Sequence, residues 1–95
     1  MNKIQYLLCK LSGECAEVSQ IASKGMIFGL HSDGSPTGKT NHTLLIDEYT
    51  DLVVIVEMLR EEGVSLPVVR DAIDAKKEKV NRYLNYSIQL GCVQA

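Results

Sequence analysis

Two pairs of acidic residues carry the chemistry that this sequence suggests. Each pair has the spacing i, i+3: the first is Glu14 and Glu17, and the second is Glu48 and Asp51. On a helix this spacing places both carboxylates on one face, with Cβ atoms about 5–6 Å apart. Four acids brought together repel one another and lose hydration, and a bound cation removes both penalties. Because hard oxygen ligands suit Mg²⁺ or Mn²⁺, the sequence predicts one divalent-cation site.

The direction of each acid around its helix supports this prediction. When successive residues are placed at about 100° intervals, Glu48 falls well inside an apolar face, and Asp51 also points between apolar residues. Glu14 lies at the edge of the apolar stripe of its helix, and Glu17 lies beside it, one step towards the polar side. The simpler alternative is that these acids pair with Lys or Arg or lie at a solvated rim.

Three helical segments position these acids, because apolar residues recur at intervals of three and four along most of the chain. The segments are predicted to run from about Lys3 to Ile27, from near Asn41 or Thr43 to about Glu62, and from Ser65 to about Leu90. Gly29 is expected to cap the end of the first helix. Asn41 or Thr43 is the candidate N-cap of the second helix, and Ser65 is expected to be the N-cap of the third, with Pro67 in its first turn. The segment from His31 to Asn41, rich in Gly and small polar residues, is predicted to be a loop.

The second helix is apolar around most of its circumference, and three helices of one short chain cannot surround it. We therefore expect an all-α fold in which three long helices form part of an oligomeric helical bundle. The whole chain, residues 1–95, is expected to be a single domain. A homodimer and a homotetramer are both compatible with this pattern.

Composition argues against several classes of function. The 95 residues carry a formal net charge of −2 and no basic stripe, so we expect no nucleic-acid partner. No apolar stretch approaches the length of a membrane span, so we expect no membrane partner. Three cysteines (Cys9, Cys15 and Cys92) lack the spacing of a zinc site or a disulfide framework. The protein is therefore expected in the reducing cytoplasm.

The acidic pairs and their context resemble the MazG-like nucleotide pyrophosphohydrolases of the all-α NTP pyrophosphatase superfamily. The resemblance rests on Gly-Glu-Cys-Ala-Glu-Val at 13–18, on Ile-Asp-Glu-Tyr-Thr-Asp-Leu at 46–52, and on residues 24–30 followed by Thr40-Asn41. It covers the chain from about Leu7 to Tyr83. Two positions depart from the family pattern: Gly13 stands where many relatives have a further Glu, and Ile27 stands where many have Arg.

The resemblance implies hydrolysis of nucleoside triphosphates between the α and β phosphates, giving nucleoside monophosphate and pyrophosphate. It implies Mg²⁺ as the cofactor, with Mn²⁺ as the other candidate. Glu14, Glu17, Glu48 and Asp51 would hold the metal and act in catalysis. Which of the four accepts a proton from the attacking water is left open.

Five further residues are candidates for contact with the nucleotide: Lys24, Lys39, Asn41, Lys77 and Asn81. The alternative for Lys24 is a salt bridge, and the alternative for Lys77 and Asn81 is the solvated face of a helix. A different function also stays open, namely a non-catalytic helical oligomer that binds metal or nucleotide as a regulatory or sensing module.

Overall fold

A computed structural model describes residues 1–31 and 38–95 of the chain. Its helices are α1 (Lys3–Phe28), α2 (Asn41–Glu61) and α3 (Arg70–Gln89), and the described ranges contain no strand. The predicted all-α class is confirmed. Most of the predicted loop between α1 and α2, residues 32–37, lies outside the described residues.

Side-chain and backbone caps fix where α1 begins and ends. Asn2 Oδ1 accepts a hydrogen bond from the backbone N–H of Gln5, and Gln5 Oε1 accepts one from the backbone N–H of Asn2, both at 2.8 Å. This reciprocal pair is a capping box. At the other end Gly29 has φ 93°, a backbone angle that residues with a Cβ rarely adopt, and its N–H donates to the Gly25 carbonyl. The predicted role of Gly29 as a cap is confirmed.

The residue that caps α2 is Thr40, and the prediction of Asn41 or Thr43 for this role was wrong. Thr40 Oγ1 accepts a hydrogen bond from the backbone N–H of Thr43 at 3.1 Å. The Asn41 side chain is engaged elsewhere, because its Nδ2 donates to the Gly29 carbonyl at 3.0 Å. That bond ties the end of α1 to the start of α2.

Replacement of Thr40 by Ala is expected to lower the free energy of unfolding by about 1 kcal/mol, because an N-terminal N–H of α2 loses its acceptor. Urea unfolding followed by circular dichroism measures this change. Thr40→Ser keeps the hydroxyl oxygen and should retain most of the stability. An Ala variant as stable as the original protein would show that the cap contributes nothing.

α1 and α2 form an antiparallel hairpin with a narrow core. Leu7, Ile55 and Leu59 are buried together, and Leu11 and Val64 pack against them. These residues join the start of α1 to the end of α2. At the other end of the hairpin the backbone N–H of His42 donates to the Leu30 carbonyl at 2.9 Å.

α3 begins at Arg70 with Val69 as its N-cap, four residues later than the predicted N-cap Ser65. The backbone N–H of Val64 donates to the Leu59 carbonyl at 2.9 Å, and the Val64 side chain packs on the hairpin core, so the chain leaves α2 in a fixed direction. Residues 64–69 then form no helix. The pair Val68-Val69 also has low helix propensity, because both side chains branch at Cβ.

α3 stands apart from the hairpin. No Cα atom of α3 lies within 8 Å of a Cα atom of α1 or α2. The radius of gyration is 16.9 Å, whereas about 12 Å is typical for a compact domain of this length. The accessible surface is 7421 Å², whereas about 5400 Å² is typical for a folded monomer of this mass. The single chain therefore leaves a large area uncovered.

None of the described helices combines the length with the apolar character that a membrane span needs.

Candidate metal centre

Three carboxylates meet where α1 faces α2. Glu14, Glu48 and Asp51 each contribute one oxygen atom, and these three atoms all lie within 4.8 Å of one another. Glu14 and Glu48 are partly buried, and Asp51 is exposed. Two oxygens on opposite sides of a Mg²⁺ ion are about 4.2 Å apart, because each Mg–O bond is about 2.1 Å long. Small side-chain rotations would therefore allow the three oxygens to share one cation.

Helical periodicity explains why these acids face inward. Glu14 lies seven residues after the buried Leu7 and seven before the buried Ile21, and Glu48 lies seven before the buried Ile55. Seven residues are close to two helical turns, so each acid shares the direction of core side chains. The Glu14 and Glu48 side chains thus lie in the rows of residues along which the two helices pack.

Glu48 is the electrostatic centre of the site. Partial burial raises the pKa of the Glu48 carboxyl above its ordinary value, and the neighbouring negative charges raise it further. Among these charges Glu17 acts most strongly, followed by Asp51, Glu14 and Asp47. Glu17 is exposed and lies outside the group of three oxygens, but its charge still acts on Glu48. The charges of Glu14, Glu17 and Asp51 therefore all act on the Glu48 carboxyl.

Positive charges within the described part of the chain compensate this cluster weakly. Of the four acids only Glu14 has an ion pair there, with Lys10 Nζ at 3.9 Å from its Oε1. Lys39 Nζ lies 3.3 Å from Asp47 Oδ2, beside the cluster rather than within it. The alternative that Lys or Arg side chains neutralise the acids thus applies only to Glu14, and at a long distance.

No family model, curated protein or solved structure matches this chain. An assignment of function therefore rests on the chemistry of the site and on the sequence resemblance described above.

Three of the candidate substrate contacts lie at one end of the hairpin. Lys39 forms its ion pair with Asp47. The Asn41 amide donates to the Gly29 carbonyl and, at 3.5 Å, to the Lys24 carbonyl, so Asn41 joins two helices in this structure. Lys24 is exposed. A nucleotide that binds Lys39 or Asn41 would have to replace these contacts.

The other two candidates, Lys77 and Asn81, are on α3 and are not brought to the acids by their own chain. Both are exposed, and the separation of α3 from α1 and α2 puts them outside the hairpin site. One chain therefore brings the acidic residues of the predicted site together, but it does not bring Lys77 and Asn81 to them.

Sequence reasoning missed the ion pair of Glu14 and a ring contact at the loop end of the hairpin. Lys10 was not singled out, although its spacing of four residues before Glu14 is the signal of a helical ion pair. His31 and His42 pack their rings in a T-shaped arrangement with centroids 5.2 Å apart. No periodicity could have indicated that contact, because the residues flank a loop.

Proposed function

We propose that this protein is a divalent-cation-dependent nucleoside triphosphate pyrophosphohydrolase, which releases nucleoside monophosphate and pyrophosphate. The observation that supports the proposal most is the meeting of the Glu14, Glu48 and Asp51 oxygens within 4.8 Å. The resemblance of the two acidic segments to MazG-like enzymes supplies the substrate class. Nucleoside triphosphates and Mg²⁺ are abundant in the cytoplasm, and we propose that the enzyme acts there.

The residues present fit a hard divalent cation. Glu14, Glu48 and Asp51 would hold it, since carboxylate oxygens are the ligands that Mg²⁺ and Mn²⁺ prefer. When bound, the cation supplies positive charge that neutralises phosphate oxygens and makes a nearby water more acidic. The raised pKa of Glu48 agrees with this role, because a cation offsets both the partial burial and the repulsion that raise it.

Glu17 is our candidate for the proton acceptor. Its oxygens lie outside the group of three, and its side chain is exposed, so it can meet a water that approaches from solvent. In the reaction the water oxygen forms a bond to phosphorus, the bridging P–O bond between the α and β phosphates breaks, and the proton passes to the carboxylate. Pyrophosphate then leaves.

Incubation with a panel of ribo- and deoxyribonucleoside triphosphates tests the proposal. In the presence of Mg²⁺ or Mn²⁺ we expect equal amounts of monophosphate and pyrophosphate, and none when EDTA is present. Chromatography separates these products from nucleoside diphosphate and orthophosphate. Release of orthophosphate in place of pyrophosphate would show that cleavage does not occur between the α and β phosphates. No turnover of any nucleotide would overturn the enzymatic proposal and favour a non-catalytic binding module.

A further inference from the structure

The two histidines of the chain meet at the loop end of the hairpin. His31 follows the end of α1, and His42 is the second residue of α2. Their rings are nearly perpendicular, with an angle of 81° between the planes, and the ring centroids are 5.2 Å apart. Both residues are exposed, and neither takes part in the proposed reaction. The pair is therefore open to solvent and to dissolved ions.

Hydrogen bonds hold the backbone of the two histidines in place. The His42 N–H donates to the carbonyl of Leu30, the residue before His31, at 2.9 Å. The side-chain amide of Asn41, the residue before His42, donates to the Gly29 carbonyl at 3.0 Å. These bonds join the same two segments that carry the rings. A ligand that binds both rings would therefore meet a framework that is already closed, and little conformational entropy is lost on binding.

The separation of the ring centroids fits a metal ion held by one nitrogen of each imidazole. A Zn–N bond is about 2.0–2.1 Å long, and the centroid lies about 1.1 Å behind the ligating nitrogen, so the ion is about 3.2 Å from each centroid. At the tetrahedral angle of about 109° the two centroids are then about 5.2 Å apart. The distance in the structure is the same, 5.2 Å.

The present orientation of the rings does not prevent such binding. The Cβ–Cγ bond of a histidine points through the centre of its ring, so rotation about this bond moves the nitrogens and leaves the centroid nearly in place. This torsion has broad energy minima. Each ring can therefore turn a nitrogen towards a shared ion while the centroid separation and the backbone stay as they are. The simpler alternative is a packing contact between two rings, without any ligand.

Imidazole nitrogens select a different class of metal from the acidic cluster. They suit Zn²⁺, Ni²⁺ and Cu²⁺, whereas Mg²⁺ prefers oxygen ligands. His42 also precedes Glu48 by six residues, which is a rise of about 9 Å along α2. An ion bound by the histidines and an ion bound by the acids would therefore have no ligand in common.

The charges around the histidine pair do not exclude a cation. The ammonium group of Lys39, three residues before His42, is compensated by Asp47, whose Oδ2 lies 3.3 Å from Lys39 Nζ. His31 follows the C-terminal end of α1, which carries partial negative charge, and His42 lies in the first turn of α2, which carries partial positive charge. Because these two helix ends have opposite effects on a cation, binding depends mainly on the two nitrogens.

From these observations we propose that His31 and His42 form a second metal site, which binds one Zn²⁺ or similar transition-metal ion through one imidazole nitrogen of each residue. Water fills the remaining positions around the ion. The ion links the end of α1 to the start of α2 and stabilises the hairpin, because a ligand that binds only the folded chain shifts the unfolding equilibrium. This site does not depend on the proposed hydrolysis of nucleotides.

Titration with Zn²⁺ followed by NMR tests the site without any measurement of activity. The chain contains two histidines, so the signals of their Cε1–H groups report on the two rings directly. Cys9, Cys15 and Cys92 are exposed and could bind Zn²⁺ themselves, so each is first replaced by Ser. We expect both imidazole signals to shift together, with one shared Kd.

Three variants separate the histidine site from other sites for Zn²⁺. His31→Ala should weaken the response of His42 to Zn²⁺ by at least about tenfold, because the second imidazole no longer acts at a high effective concentration. His42→Ala should have the same effect on His31. Glu48→Gln is the matched control: it removes a charge from the acidic cluster and should leave both responses unchanged. Circular dichroism should show the same helix content in all three variants.

Two results of the titration would overturn the inference. One is a pair of imidazole signals that shift with clearly different Kd values, as two independent surface histidines would. The other is an unchanged affinity of His42 for Zn²⁺ in His31→Ala. Either result would reduce the contact to ring packing alone.

Thermal unfolding tests whether the ion links the two helices. Zn²⁺ should raise the melting temperature of the Cys-free chain and of its Glu48→Gln variant, and His31→Ala should lose this rise. An equal rise in His31→Ala would place the stabilising ion at other residues and overturn the proposed link.

Discussion

Replacement of Glu48 by Gln is expected to lower the rate of nucleotide hydrolysis by at least about 10²–10³-fold, the loss seen when one charge-stabilising group is removed from an active site. Glu48 lies among the other three acids, and their charges all act on it. The amide of Gln has nearly the same shape but no negative charge, so the cation would lose its central ligand. Steady-state hydrolysis at saturating Mg²⁺ measures the effect.

Glu57→Gln is the matched control on the same helix. Glu57 is exposed and pairs with Arg60 at 3.5 Å, away from the acidic cluster. Its replacement should leave hydrolysis unchanged and cost little stability, because exposed ion pairs contribute only about 0–1 kcal/mol. Circular dichroism should show the same helix content in both variants. A Glu48→Gln enzyme that retains its activity would remove Glu48 from the proposed mechanism.

The acidic cluster could be predicted from the sequence because helical periodicity is a local property. The directions of Glu14 and Glu48 follow from their seven-residue separations from core residues. Two inward-facing acids on neighbouring helices then meet if they lie at the same level along the hairpin. The position of the Glu17 carboxylate could not be predicted in this way. Its spacing alone does not place its oxygens inside or outside the group of three, because that depends on the rotation of an exposed side chain.

The start and the surroundings of α3 could not be predicted in the same way. Ser65 and Pro67 are good signals for a helix start, but Val64 is held on the hairpin core by a tertiary contact, and the helix begins only at Arg70. α3 carries an apolar stripe, which predicts that something covers it. An amphipathic pattern fits a surface of its own chain as well as one of another chain, so periodicity cannot identify the covering element.

Saturation with Mg²⁺ or Mn²⁺ is expected to raise the melting temperature by about 10–20 °C. A ligand that binds only the folded protein stabilises it by about 2.7 kcal/mol at a hundred times its Kd, and each kcal/mol shifts the melting temperature of a domain of this size by about 4–8 °C. Glu48→Gln should lose most of this rise, and Glu57→Gln should keep it. Na⁺ at the same ionic strength controls for general screening of charge.

Without a divalent cation, Glu48→Gln is expected to be more stable than the original protein, which reverses the order expected with the cation bound. Because the pKa of Glu48 is raised in the folded protein, the folded state holds a proton that the unfolded state has already lost in the pH range just above about 4.3, the ordinary value for Glu. The free energy of unfolding therefore falls as pH rises through this range, and the penalty is complete above the raised pKa. Urea unfolding in EDTA should find Glu48→Gln more stable than the original protein near neutral pH.

This difference between the two proteins should vanish at acid pH, where Glu48 is protonated in both states and carries no charge. The same protonation should weaken cation binding, since a proton and a metal ion compete for one carboxylate. If Glu48→Gln were instead less stable than the original protein at every pH in EDTA, Glu48 would have to be stabilised by a partner within the protein. The case for a cation as its missing counter-charge would then fail, even if the three oxygens do lie close together.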